Sequence, residues 1–178
     1  IINNTTDDNG VVNLQTDATI SGCTINGNSG GYNGAAIYCS TGQAIISDCL
    51  ITNNTGSTGG IWLDDLYFDG PTPNFTVTNC TITGNYAIDN GAGGGIYCGS
   101  DITASITGCT ISSNLATSYA GGISIGDDSI VTISKCTISK NTSSGKAGGI
   151  AVKESAQATV LDSTIQGNIA ADDAGGIV

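Results

Sequence analysis

The residues able to do chemistry in this chain are seven cysteines and fifteen carboxylates, with no histidine, no arginine and four lysines, Lys135, Lys140, Lys146 and Lys153. The densest cluster is Asp64, Asp65 and Asp69, interleaved with Trp62, Tyr67 and Phe68. Paired carboxylates can hydrolyse a neutral glycan, and aromatics beside them can stack sugars, anchor a partner or sit next to a calcium site. The formal net charge of −11 works against nucleic acid, anionic membranes and polyanionic sugars as partners. The acid pairs Asp7-Asp8, Asp127-Asp128 and Asp172-Asp173 read as turns. None has EF-hand or nonapeptide spacing, so calcium is the only cofactor left open and none is assigned.

Five cysteines, Cys23, Cys49, Cys80, Cys109 and Cys136, recur in one context; Cys39 and Cys98 occupy another, after Ile-Tyr. No Cys-x-x-Cys or Cys/His pattern offers zinc a site. Two readings stay open for the column: buried apolar thiols, or disulfides between neighbouring repeats, with at least one of the seven left free.

The elements that hold these residues are repeats. A β-branched residue, a small residue or Cys, then Thr-Ile or its equivalent and an asparagine recur six times, from Ile20 to Ile25 with Asn28 through to Val160 to Ser163 with Asn168. The asparagines Asn28, Asn54, Asn85, Asn114, Asn141 and Asn168 step by 26, 31, 29, 27 and 27 residues. After each comes Gly-Gly-Ile or a close variant, and apolar residues alternate with Thr, Ser or Asn at period two. This predicts an all-β parallel solenoid of three short strands per rung, about 27 residues per rung and six to seven rungs. Like residues then stack on like at about 4.8 Å. An inward asparagine column becomes a ladder bonded from rung to rung, a structural role rather than a catalytic one.

Gly-Gly-Ile followed by Thr-Ile-x-x-Asn, as in Thr81-Ile82-Thr83-Gly84-Asn85, resembles the Gly-Gly-Ala-Ile and Phe-x-x-Asn repeats of the polymorphic outer-membrane proteins, which are surface adhesins, and more broadly the right-handed parallel β-helix repeat. The resemblance covers nearly the whole chain. It implies a right-handed β-helix in an extracellular or cell-surface setting, and an adhesive role. Solenoid lyases and hydrolases, as the same resemblance implies, use Arg, Lys or His alongside Asp clusters; this chain has neither Arg nor His.

The interval from Ile61 to Val77 is 16 residues, where Ile123 to Ile133 is 10, so an insertion is expected over 62–74 within a single domain spanning 1–178. It carries the candidate binding residues Trp62, Asp64, Asp65, Tyr67, Phe68 and Asp69. No apolar run reaches membrane length. The first and last residues read as open rungs, either of a longer solenoid or of a subunit that associates end to end into a fibre. The expected function is a non-catalytic structural or adhesive solenoid. The alternative is a hydrolase, lyase or binding module for a neutral glycan, using the 62–74 insertion.

Overall fold

Each copy of the repeated phrase closes one rung of a parallel β-solenoid. The computed structural model describes residues 1–7, 9–31, 35–65, 70–88 and 92–178, and contains no helix among them. Four sheets run along the axis, numbered in the order that each rung meets them. Sheet 1 holds Val12–Leu14, Ile37–Cys39, Ile61–Leu63, Ile96–Cys98, Ile123–Ile125 and Ile150–Val152. Sheet 2 runs from Ala18–Ser21 to Gln157–Leu161, and sheet 3 from Thr24–Asn26 to Thr164–Gln166. All pairing is parallel and in register, one rung on the next: Ile106 faces Ile133, which faces Val160, at the expected interval of 27 residues.

The three strands read from the sequence are present, and a fourth joins them. Sheet 4 is built of two-residue strands directly after the asparagines: Thr55–Gly56, Tyr86–Ala87, Leu115–Ala116, Thr142–Ser143 and Ile169–Ala170. Two residues are too few to display alternation, so this sheet is indistinguishable from loop in the sequence.

Alternation decides what the interior contains. Ile25, Ile51, Ile82, Ile111 and Ile138 stack inward from sheet 3, and Ile37, Ile61, Ile96, Ile123 and Ile150 from sheet 1, all fully buried. Each such side chain contributes roughly 1.5–3 kcal/mol relative to exposure. Corners between sheets are made by single left-handed residues. One column, Gly22, Asp48, Asn79, Gly108, Lys135 and Asp162, precedes the five cysteines and Ser163; another, Gly27, Asn53, Gly84, Ser113, Lys140 and Gly167, precedes the asparagines. Where the chain re-enters sheet 1, backbones of successive rungs touch. A Cβ on Gly95 would stand 2.7 Å from the Gly122 carbonyl oxygen, which is why the Gly-Gly pair recurs.

The long connection leaves sheet 1 after Leu63. Asp64 N still donates to Cys39 O at 2.8 Å, and pairing resumes where Thr103 N donates to Pro73 O at 2.9 Å. Tyr67, Phe68 and Asp69 lie outside the described residues. Trp62 sits in the strand Ile61–Leu63 and not in the connection that follows it.

Candidate functional site

The asparagine column is a continuous ladder. Asn28, Asn54, Asn85 and Asn114 each donate Nδ2 to Oδ1 of the next asparagine at 2.9–3.1 Å, and Asn141 does so to Asn168 at 3.0 Å. The same Oδ1 atoms accept the preceding asparagine's backbone N–H, as Asn141 Oδ1 does from Asn114 N at 3.0 Å. Each Nδ2 also donates to a carbonyl one rung back, Asn114 to Ile82 O at 3.0 Å. Both amide protons and both oxygen lone pairs are thereby used, which removes the cost of burying the group. Asn4 is an additional rung, with its Nδ2 3.1 Å from Asn28 Oδ1. Its signal was the Ile1-x-x-Asn4 spacing, the same as Ile25 to Asn28.

The cysteine column is equally regular. All seven thiols are free. Cys39 and Cys98 are buried inside sheet 1, and burial pushes both thiols up to about 12, far from reactive thiolate.

On the outside of sheet 1 the residue type changes along the axis. The central outward positions read Asn13, Tyr38, Trp62, Tyr97, Ser124 and Ala151 by register, and the backbone bonds that continue the pairing align Asp64, Gly99, Gly126 and Lys153 beyond them. Tyr38, Trp62 and Tyr97 pack edge-to-face down the axis, with ring centroids 5.5 and 5.3 Å apart. Tyr38 is buried, whereas Trp62 and Tyr97 are partly exposed. Such pairs are worth about 0.5–1.5 kcal/mol beyond burial.

Asp64 lies against this stack, its carboxylate over the bare Cα of Gly99, so any side chain there would displace it. Burial raises its carboxyl from 3.8 to about 6; polar atoms of Trp62 and Tyr38 face it and oppose that rise, while the neighbouring Asp65 carboxylate adds to it. Trp62 Nε1 is nonetheless buried without a hydrogen bond of full geometry, and so is the Ser124 hydroxyl on the same face. Asp65 itself is buried.

Sequence reasoning missed the far wall. Burial raises the Tyr97 phenol to about 12, with the charges of Asp64 and Asp127 near enough to add to the effect. Asp127 holds Lys153 at 3.1 Å, and Lys153 and Lys146 approach the Tyr119 ring at 5.5 and 5.8 Å. Tyr119, Asp127, Lys146 and Lys153 line one concavity with Ala151 and Val152. Tyr97 and Asp127 stand 35 and 63 residues from Trp62 and Asp64; only the register brings them together. Among the described residues, no cluster of three or more His, Cys, Asp or Glu is placed to hold a metal ion.

The parallel sheets, stacked in register from rung to rung, define a β-solenoid whose sheet 1 carries an aromatic and acidic outer face. Residues 65–177 match the family model described as the right handed beta helix region, and the chain belongs to that family. No curated protein and no solved structure gives a match.

Proposed function

We propose that this is an adhesive, non-catalytic β-solenoid of the cell surface or extracellular space that binds a neutral glycan on the outer face of sheet 1. The observation that carries this reading is the stack Tyr38, Trp62 and Tyr97 beside Asp64, the place where an otherwise repetitive chain puts its only tryptophan. Trp62 and Tyr97 offer apolar ring surface for the C–H faces of a sugar, and the partly exposed Asp64 offers an acceptor for its hydroxyls. Asp64, Asp65 and Asp127 disfavour a polyanionic chain, which is why the ligand is neutral. A binding screen against neutral oligosaccharides (gluco-, manno-, galacto- and chito-series) tests the reading. Saturable binding that falls at least tenfold in Trp62→Ala is expected; no binding to any series, or binding indifferent to that change, overturns it.

The raised carboxyl of Asp64 favours a second reading, hydrolysis of the same glycan. A carboxylic acid near 6 suits a general acid. Release of reducing ends by the protein, abolished in Asp64→Asn, would replace the adhesive reading with this one.

A further inference from the structure

We infer that the glycan face of sheet 1 continues for two further rungs into the hollow walled by Tyr119, and that its ligand is a linear, uncharged oligosaccharide lying along the solenoid axis with its end unit in that hollow. This extended site rests on the platform proposed at Trp62 and Tyr97 and adds the direction, the length and the end of its ligand.

The outward positions change in size along the axis. Tyr38, Trp62 and Tyr97 raise a ridge of rings over three rungs, and the register then places Ser124 and Ala151 at the same positions, with Gly126 aligned beside them. Small side chains lower the surface where large ones raised it. Tyr119 comes from the segment that leads into Ile123–Ile125, and its ring closes one side of the lowered stretch. The enclosed space is about 270 Å³, below the range of roughly 300–1,000 Å³ that holds a whole drug-sized ligand. It has room for one sugar unit and not for a chain. Tyr119 and Asp127 also lie near enough to Tyr97 to act on its phenol, so the platform and the hollow adjoin.

The charges around the hollow fit a neutral occupant. The chain has four lysines against fifteen acids, yet Lys146 and Lys153 meet here with Asp127 and Glu154, so two positive and two negative groups cancel. Lys153 is held to Asp127 at 3.1 Å. Lys146 has no carboxylate within ion-pair distance among the described residues, and its ammonium lies 5.8 Å from the centre of the Tyr119 ring. A polyanion would meet Asp127 and Glu154, and a polycation the two ammoniums. Sugar hydroxyls use both kinds of group, accepting from Lys146 and donating to Asp127 or Glu154. The partly exposed ring of Tyr119 supplies a surface for C–H contact.

Rung spacing sets the length. Trp62, Tyr97, Ser124 and Ala151 stand in successive rungs, about 4.8 Å apart, and one pyranose unit of an extended glycan advances by a comparable distance. About four units therefore reach from Trp62 to the hollow.

The test measures affinity against chain length on the intact protein, by calorimetry with gluco-, manno-, galacto- and N-acetylated chito-oligosaccharides from disaccharide to hexasaccharide. In the series that binds, affinity should rise at least tenfold from disaccharide to tetrasaccharide and stay level beyond it. Tyr119→Ala should bring the tetrasaccharide to within about twofold of the disaccharide. Asp127→Asn, which keeps the size of a partly exposed side chain but breaks the ion pair with Lys153, should cut the rise about threefold. Trp62→Ala should weaken every length alike. Disaccharide binding with no rise, a rise that continues to the hexasaccharide, or a rise that survives both Tyr119→Ala and Asp127→Asn overturns the extended site and leaves the platform at Trp62 standing. Absence of binding at every length overturns both.

Discussion

The interior columns and the outer face of sheet 1 are made by the same rungs yet follow opposite rules. Inside, position determines residue: asparagine bonds asparagine from Asn4 to Asn168, and isoleucine packs on isoleucine. Outside, along one sheet, position determines nothing: tyrosine, tryptophan, tyrosine, serine and alanine follow one another in register. A residue needed in every rung answers to stacking. A residue found in one rung answers to something beyond the stack, and Trp62 with Asp64 meets that condition best.

Substitutions on the two sides should therefore separate stability from binding. The largest expected loss of stability lies in the ladder. Asn114→Ala strands the buried Asn85 N–H and takes one bond each from Asn85 Nδ2, the Ile82 carbonyl and Asn141 Oδ1, and should lower the unfolding free energy by roughly 4 kcal/mol in a urea titration. Ile111→Ala, one layer away and also fully buried, should cost about 2–5 kcal/mol by the same measurement. On the outer face, Trp62→Ala should lose glycan binding at least tenfold while lowering stability by less than Asn114→Ala does. Equal damage to stability from both would erase the distinction between the two regions.

Two smaller effects sharpen it. Lys135 holds φ 55° at a corner where other rungs place Gly22 and Gly108. Lys135→Gly should raise stability by about 0.5 kcal/mol, because relief of the left-handed strain slightly exceeds the added freedom of the unfolded chain. Asp64 binds its proton more tightly folded than unfolded, with values of about 6 and 3.8. Its contribution to stability is thus fully present below about pH 4, is lost as pH rises through 6, and is flat above. Asp64→Asn should flatten that part of the profile, raising the melting temperature more at pH 7 than at pH 4. A larger gain at pH 4 would contradict the placement of Asp64.

The period, the parallel stacking and the ladder were legible in the sequence because each is written six times, and repetition survives irregular loops. Sheet 4 was not, since Tyr86-Ala87 and Leu115-Ala116 alternate for only two residues. The outer site was half legible. Trp62, Asp64 and Asp65 announced themselves by the long interval from Ile61 to Val77, but the interval blurred their setting: Trp62 belongs to a strand, and its partners are Tyr38 and Tyr97. The clue was present in Ile37-Tyr38-Cys39, Ile61-Trp62-Leu63 and Ile96-Tyr97-Cys98, which align once the Gly-Gly-Ile register is used. Asp127 and Lys153 had no such clue, because an ordinary turn and an ordinary strand end acquire their neighbours only from the fold.

Trp62 is the only tryptophan, so its fluorescence reports on the outer face of sheet 1 alone, and a titration of the intact protein with neutral oligosaccharides addresses the central claim most directly. Saturable quenching or enhancement is expected, weakened at least tenfold in Tyr97→Ala and preserved in Cys109→Ser, whose change lies in the inner columns. An emission spectrum untouched by every neutral oligosaccharide, or a response that survives Tyr97→Ala intact, would contradict a glycan site on that face.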